Sequence, residues 1–95
     1  MIKITGSVGA GGNNLRQDVI IIQKALNKVT PTLNGKLLSV DGIYGKNTAS
    51  AITVFQSKFA HMVKPDGRID PNGRTIRNLA ALQKTNSPIL FSLGV

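Results

Sequence analysis

Three stretches of the chain repeat apolar residues at helical spacing. Leu15, Val19, Ile22, Leu26 and Val29 follow one another at intervals of 4, 3, 4 and 3, and Ile21 and Ala25 widen the stripe. Asn13 or Asn14 is placed to cap this segment, Asp18 suits its first turns, Lys24 and Lys28 suit its end, and Pro31 stops it. The pattern predicts a first helix over about 15–29. Ala49, Ile52, Phe55, Phe59 and Met62 predict a second over about 47–61, closed before Pro65, and Ile76, Leu79, Ala80 and Leu82 predict a third over about 74–84. Ahead of them, 1–13 is a glycine-rich lead-in, turn-rich or flexible, with Gly6, Gly9, Gly11 and Gly12. Leu37, Leu38 and Val40 are expected to tuck an extended piece of the 30–46 loop against the core. The tail 85–95, with Ile89, Leu90, Phe91 and Leu93, is expected to pack back on the core or pair with Ile2–Ile4. The fold class is mainly α: a single domain over 1–95, a compact three-helix bundle with long structured loops and its core at 14–84.

A second pattern occurs twice. Val40-Asp41-Gly42-Ile43-Tyr44-Gly45-Lys46-Asn47-Thr48 and Pro65-Asp66-Gly67-Arg68-Ile69-Asp70-Pro71-Asn72-Gly73-Arg74-Thr75 both run from Asp-Gly through an apolar-containing turn and another glycine to a threonine at a helix start. Asp-Gly supports a turn with positive φ, an apolar residue after it (Ile43, Ile69) anchors the loop, and Thr48 and Thr75 are placed to cap the helices that follow. Each turn then presents a helix N-terminus, where unpaired N–H groups favour a carboxylate or phosphate. A calcium loop is excluded, because Arg68 and Arg77 fall where such a loop needs oxygen ligands.

Charge adds a direction. Twelve Lys and Arg against four Asp give a net charge of +8 and point to an acidic partner. The cations, Lys3 and Arg16 through Lys84, are spread over all three helices and the loops. A nucleic-acid recognition helix would gather them on one face, and the aromatics needed to stack on single strands are scarce, so nucleic acid is not the expected partner. The absence of cysteine and the single histidine, His61, exclude disulfides, thiolate chemistry and a multi-histidine metal site. No metal and no cofactor is expected. The chain contains no Glu, and Asp41, Asp66 and Asp70 serve turns, so the carboxylate pair of a glycosidase is missing. The lead-in lacks the spacing of a phosphate loop. No catalytic residue is assigned. No apolar run approaches the roughly 20 residues of a membrane span, and no signal-peptide core follows Met1.

Taken in order, Asp18-Val19 with Gln23 and Leu26-Asn27, then Asp41-Gly42-Ile43-Tyr44-Gly45 with Thr48, Ala51 and Phe55-Gln56, then Asp66-Gly67 with Gly73, Thr75 and Leu79, the chain over about 14–82 resembles the small three-helix peptidoglycan-binding domain found beside cell-wall hydrolases. The lead-in and the longer second turn resemble a subgroup attached to type VI secretion effectors and phage lysins. The resemblance implies a non-catalytic module that holds itself or a partner enzyme on peptidoglycan, through the stem peptide and the adjoining sugar. By position, Asp41, Tyr44, Asn47 and Thr48 would line the groove, and Arg68 and Arg74 would face it. Gly42, Gly45, Asp66, Gly67, Gly73 and Thr75 would form turns and caps, and Gln23 and Gln56 would be buried amides that tie loops down. The partners implied are peptidoglycan and a cell-wall hydrolase or secreted effector. Without a signal peptide, the chain is expected to be made in the cytoplasm and to reach the periplasm or wall by another route. The competing expectation is an adaptor of a secretion or toxin system, binding protein through an apolar patch such as 89–93.

Overall fold

The computed structural model, which describes residues 2–33, 37–60 and 62–85, places the three apolar stripes on three helices: α1 Arg16–Leu33, α2 Lys46–Lys58 and α3 Arg74–Thr85. The mainly α architecture expected from the periodicity is the one observed. Val19, Ile22, Leu26 and Val29 of α1 are buried with Ile52 and Phe55 of α2 and Ile76 and Leu79 of α3. Both other helices pack on α1, and Gln83 ties α3 to it by donating from Nε2 to the Ala25 carbonyl at 3.1 Å. His61 and the tail 86–95 lie outside the described residues.

The helix ends differ from the spacing-based expectation for identifiable reasons. Helix α1 continues through Pro31 to Leu33. A proline so near a helix end removes one backbone hydrogen bond rather than breaking a run of them. Leu15 is 45% exposed and is not part of the stripe. It starts the helix by its backbone, its carbonyl accepting from the Asp18 and Val19 N–H groups at 2.9 Å each. Helix α2 stops at Lys58, where the N–H groups of Phe59 and Ala60 both turn to the Phe55 carbonyl, at 2.8 and 3.3 Å. The Phe59 ring still stacks on Phe55, with centroids 5.5 Å apart.

The lead-in is part of the core. Ile4 and Val8 are buried in it, and Val8–Gly9 forms a strand, β1, antiparallel to a second strand, β2, Arg68–Ile69. Val8 lies opposite Ile69 and Gly9 opposite Arg68. Two-residue strands are too short to leave an alternating signature. Asn14 does not cap α1. Its own φ is +51°, and its amide accepts from the Gly9 N–H at 2.7 Å while donating to the Gly9 and Gly12 carbonyls. Asp18 is buried and reaches back to the lead-in, accepting from the Thr5 N–H, the Thr5 hydroxyl and the Gly6 N–H at 2.9–3.1 Å. In the 37–40 piece Leu38 alone turns inward, its backbone clamped by the Asn27 amide at 2.7 and 3.0 Å. Leu37 and Val40 remain 69% and 41% exposed.

Candidate functional site

The two Asp-Gly turns are wired in the same way. Gln23, buried on α1, donates from Nε2 to Asp41 Oδ1, to the Ile43 carbonyl and to Thr48 Oγ1 at 3.0–3.2 Å, and its Oε1 accepts from the Gly42 N–H at 2.9 Å. Gln56, buried on α2, donates to Asp66 Oδ1, to the Arg68 carbonyl and to Thr75 Oγ1 at 2.9–3.1 Å, and accepts from the Gly67 N–H at 2.9 Å. In each turn the aspartate also accepts from the N–H two residues on, Ile43 or Arg68, at 3.0 Å. The glycines have φ of +76° and +71°. One helix amide thus fixes a turn, the turn aspartate and the threonine of the next helix, twice in succession. Eight positions separate Thr48 from Gln56 and Thr75 from Gln83, so the third helix repeats the spacing as well.

The geometry of the turns corrects three expectations. Thr48 and Thr75 do not cap helices. Both are buried, their hydroxyls are taken by the glutamines, and the residue at the N-cap of α2 is Gly45, which offers no side chain. Thr48 therefore does not line a surface groove. Ile43 does not anchor its loop either, being 64% exposed. The hydrogen bonds align Ile43 with Arg68, and Tyr44 with the buried Ile69. Tyr44 accordingly packs half-buried against the core.

The remaining candidate residues fall into two groups. Asp41, Tyr44 and Asn47 share the first turn and the start of α2, where Asp41, Asn47 and Lys46 are exposed. Arg68 and Arg74 belong to the second turn and are exposed, but Arg68 is engaged by Asp70 at 2.9 Å. Asp70 also accepts from the Ser7 hydroxyl at 2.6 Å, so the second turn is stapled to the lead-in. Between the turns, the outer face of α2 carries a shallow depression of about 390 Å³ lined by Lys46, Ala49, Ser50, Thr53 and Val54. It adjoins the second turn, since a Cβ on Gly67 would lie 4.0 Å from Thr53 Oγ1. Two features had no signal in the sequence. Arg16 lies across the first turn, its Cγ 2.6 Å from where a Gly42 Cβ would be. A larger cleft of about 930 Å³ separates Ile2–Thr5 from α3, with Ile76 and Ala80 along its floor and Lys3 and Arg77 at its edge.

Three carboxyl groups are held below their ordinary value of 3.8. Burial alone would push Asp18 up, but the bonds it accepts from Gly6 and Thr5 outweigh it. The Ile43 N–H and then the Gln23 amide hold Asp41 down, with Arg16 adding to the effect, and the Arg68 N–H and then the Gln56 amide do the same for Asp66. A carboxyl depressed in the folded state stabilises it above the unfolded value, and the contribution is lost as pH falls through the folded value. Stability followed by circular dichroism is therefore expected to hold from neutral pH down to about pH 4 and to fall below it. A loss of stability already complete at about pH 5 would contradict the assignment.

Among the described residues no three His, Cys, Asp or Glu side chains converge as a metal site, and no helix is long and apolar enough to cross a membrane. A family model described as "Putative peptidoglycan binding domain" matches residues 16–76, which contain both wired turns and all of α1 and α2. No curated protein and no solved structure matches the chain.

Proposed function

The chain belongs to the peptidoglycan-binding domain family, and we propose that it holds itself or an attached enzyme on the wall without cleaving the polymer, through the stem peptide and the adjoining sugar. The observation that carries the reading is the rigid first turn. Gln23 fixes Asp41, Gly42, Ile43 and Thr48 from beneath, which leaves Tyr44, Lys46 and Asn47 presented on a preformed surface beside the α2 depression. A shallow, preformed surface suits an insoluble polymer, because little ordering entropy is lost on contact. Tyr44 offers a ring edge for sugar or peptide, and the dispersed positive charge adds a salt-sensitive attraction to the carboxylates of the wall. Action at the periplasm or cell wall follows from that partner, and delivery with a type VI effector or a phage lysin would bring the domain there.

Co-sedimentation with purified sacculi tests the reading. The domain is expected to pellet with the sacculi and to release no soluble fragments. Tyr44→Ala with Asn47→Ala is expected to weaken retention by about tenfold, the equivalent of 1.4 kcal/mol. A domain that stays in the supernatant at moderate salt refutes peptidoglycan binding. A double variant that pellets as well as the parent refutes the placement on the first turn.

A further inference from the structure

The two wired turns differ in one respect. The edge of the second is occupied by the protein's own lead-in. The Gly67 carbonyl accepts from the Ala10 N–H at 2.9 Å, Ile69 pairs with Val8, and Gly9 lies opposite Arg68. The glutamine wiring makes Gly42, Ile43 and Tyr44 the counterparts of Gly67, Arg68 and Ile69. Among the described residues no hydrogen bond engages the Gly42 carbonyl or the N–H and carbonyl of Tyr44. The first turn therefore presents the same edge with no strand on it. It is flanked by exposed Val40 and Ile43.

The segment on the second turn also shows what kind of strand this edge takes. Its middle residue, Gly9, has φ +123°, and a Cβ there would lie 2.1 Å from the Gly67 carbonyl oxygen and 2.8 Å from the Arg68 Cα. An L residue is shut out by both the dihedral and the clash. A D residue takes φ +123° as readily as an L residue takes the corresponding negative φ, and it carries its Cβ on the opposite side of the backbone. At the third position, the Ala10 methyl lies 3.8 Å from the Cβ position of Gly67. On the first turn the Arg16 and Ile20 side chains lie against the Gly42 Cβ position instead, with Arg16 Cγ at 2.6 Å, Ile20 Cγ1 at 3.2 Å and Arg16 Nη1 at 3.3 Å, so a seated third residue requires the long, exposed Arg16 side chain to swing aside. A cation thus stands beside the third residue of any strand seated there, complementary to a terminal carboxylate.

We propose that the Gly42–Tyr44 edge binds an extended peptide by strand addition, and that the occupant is the α-linked end of the peptidoglycan stem peptide, an L residue followed by two D-alanines with a free carboxylate. The D configuration at its middle residue meets the constraint Gly9 meets on the second turn, and Arg16 meets the carboxylate. This assignment rests on the peptidoglycan reading and specifies which part of the polymer is gripped, and how.

The test is titration of the full chain, followed by backbone amide NMR, with diacetyl-L-Lys-D-Ala-D-Ala and with its diastereomer carrying L-Ala in the middle. The D-middle peptide is expected to shift the Gly42, Ile43 and Tyr44 amides, to slow exchange of the Tyr44 N–H, and to bind at least about tenfold tighter than the L-middle peptide. Arg16→Ala is expected to weaken the acid peptide and leave its C-terminal amide unaffected. Equal affinity for the two diastereomers, or shifts confined to the cleft between Ile2–Thr5 and α3, overturns the proposal. If the chain pellets with sacculi but neither peptide binds, the strand-addition assignment falls and the peptidoglycan reading stands. If it does not pellet, both fall.

Discussion

Replacing Gln23 or Gln56 by alanine is expected to remove about 3–5 kcal/mol of stability, a large part of the roughly 5–10 kcal/mol available to a domain of this size. Each side chain is at most 1% exposed. Each amide offers two N–H groups to three acceptors and receives one backbone N–H in return. Truncation strands the Gly42 or Gly67 N–H, a backbone carbonyl and a buried threonine hydroxyl. One stranded buried group costs about 1–3 kcal/mol, and the cavity adds to it. Gln17, exposed on the same helix as Gln23, is the control, expected to change stability by less than about 0.5 kcal/mol when replaced by alanine. Gln56→Glu keeps the acceptor for Gly67 and loses the donors, and it sets a second carboxylate against Asp66. It is expected to be unstable at neutral pH and to recover partly once acid protonates it. Urea denaturation at constant m-value reads all four variants. A loss below about 1 kcal/mol for both alanine variants would mean that the turns are held by something other than the glutamines.

The helices were legible because burial along a helix repeats with the chain. Val19, Ile22, Leu26, Ile52, Phe55 and Leu79 each fall on the expected face and are buried. The duplicated turn was legible as a repeat, but its register was not. Matching Ile43 to Ile69 follows residue likeness. The molecule instead counts from the aspartate, because the carbonyl that receives the glutamine amide lies two residues after it in both copies, at Ile43 and Arg68. The threonines misled for a related reason. A hydroxyl near a helix start satisfies a cap and a buried amide equally well in sequence, and only the position of Gln23 and Gln56 beneath them decides. The lead-in was hidden because glycines that read as flexible are there to permit a close approach. Its two anchors, Ser7 to Asp70 and Gly9 to Arg68, span more than half the chain. Arg16 was invisible as a site residue because its place over Gly42 depends on where the turn folds back, more than twenty positions downstream.

Gly9→Ala is the second substitution expected to have a large effect, and its stereochemical outcome bears on the ligand as well as on the fold. With φ at +123° and a Cβ that would meet the Gly67 oxygen at 2.1 Å and the Arg68 Cα at 2.8 Å, an L side chain cannot be relieved by rotating anything flexible, since both obstacles are backbone. Either β1 leaves β2 or the second turn shifts off Gln56. Separation of the strands pulls on Val8, which is fully buried, and on the Asn14 amide that receives the Gly9 N–H. The expected loss is about 3 kcal/mol or more, combining strain with lost burial. Gly45→Ala is the matched control: no atom lies within 4 Å of its Cβ position and its φ is −119°, so it should change stability by about 0.5 kcal/mol or less. D-alanine at position 9, introduced by total synthesis, separates the two causes of the loss. If handedness at a positive φ governs the site, the D variant matches or slightly exceeds the parent in thermal stability, because the unfolded chain loses freedom while the folded one gains no clash. If the D variant unfolds like the L variant, the second turn has no room for any side chain on its seated strand. The same geometry on the first turn would then reject D-alanine too.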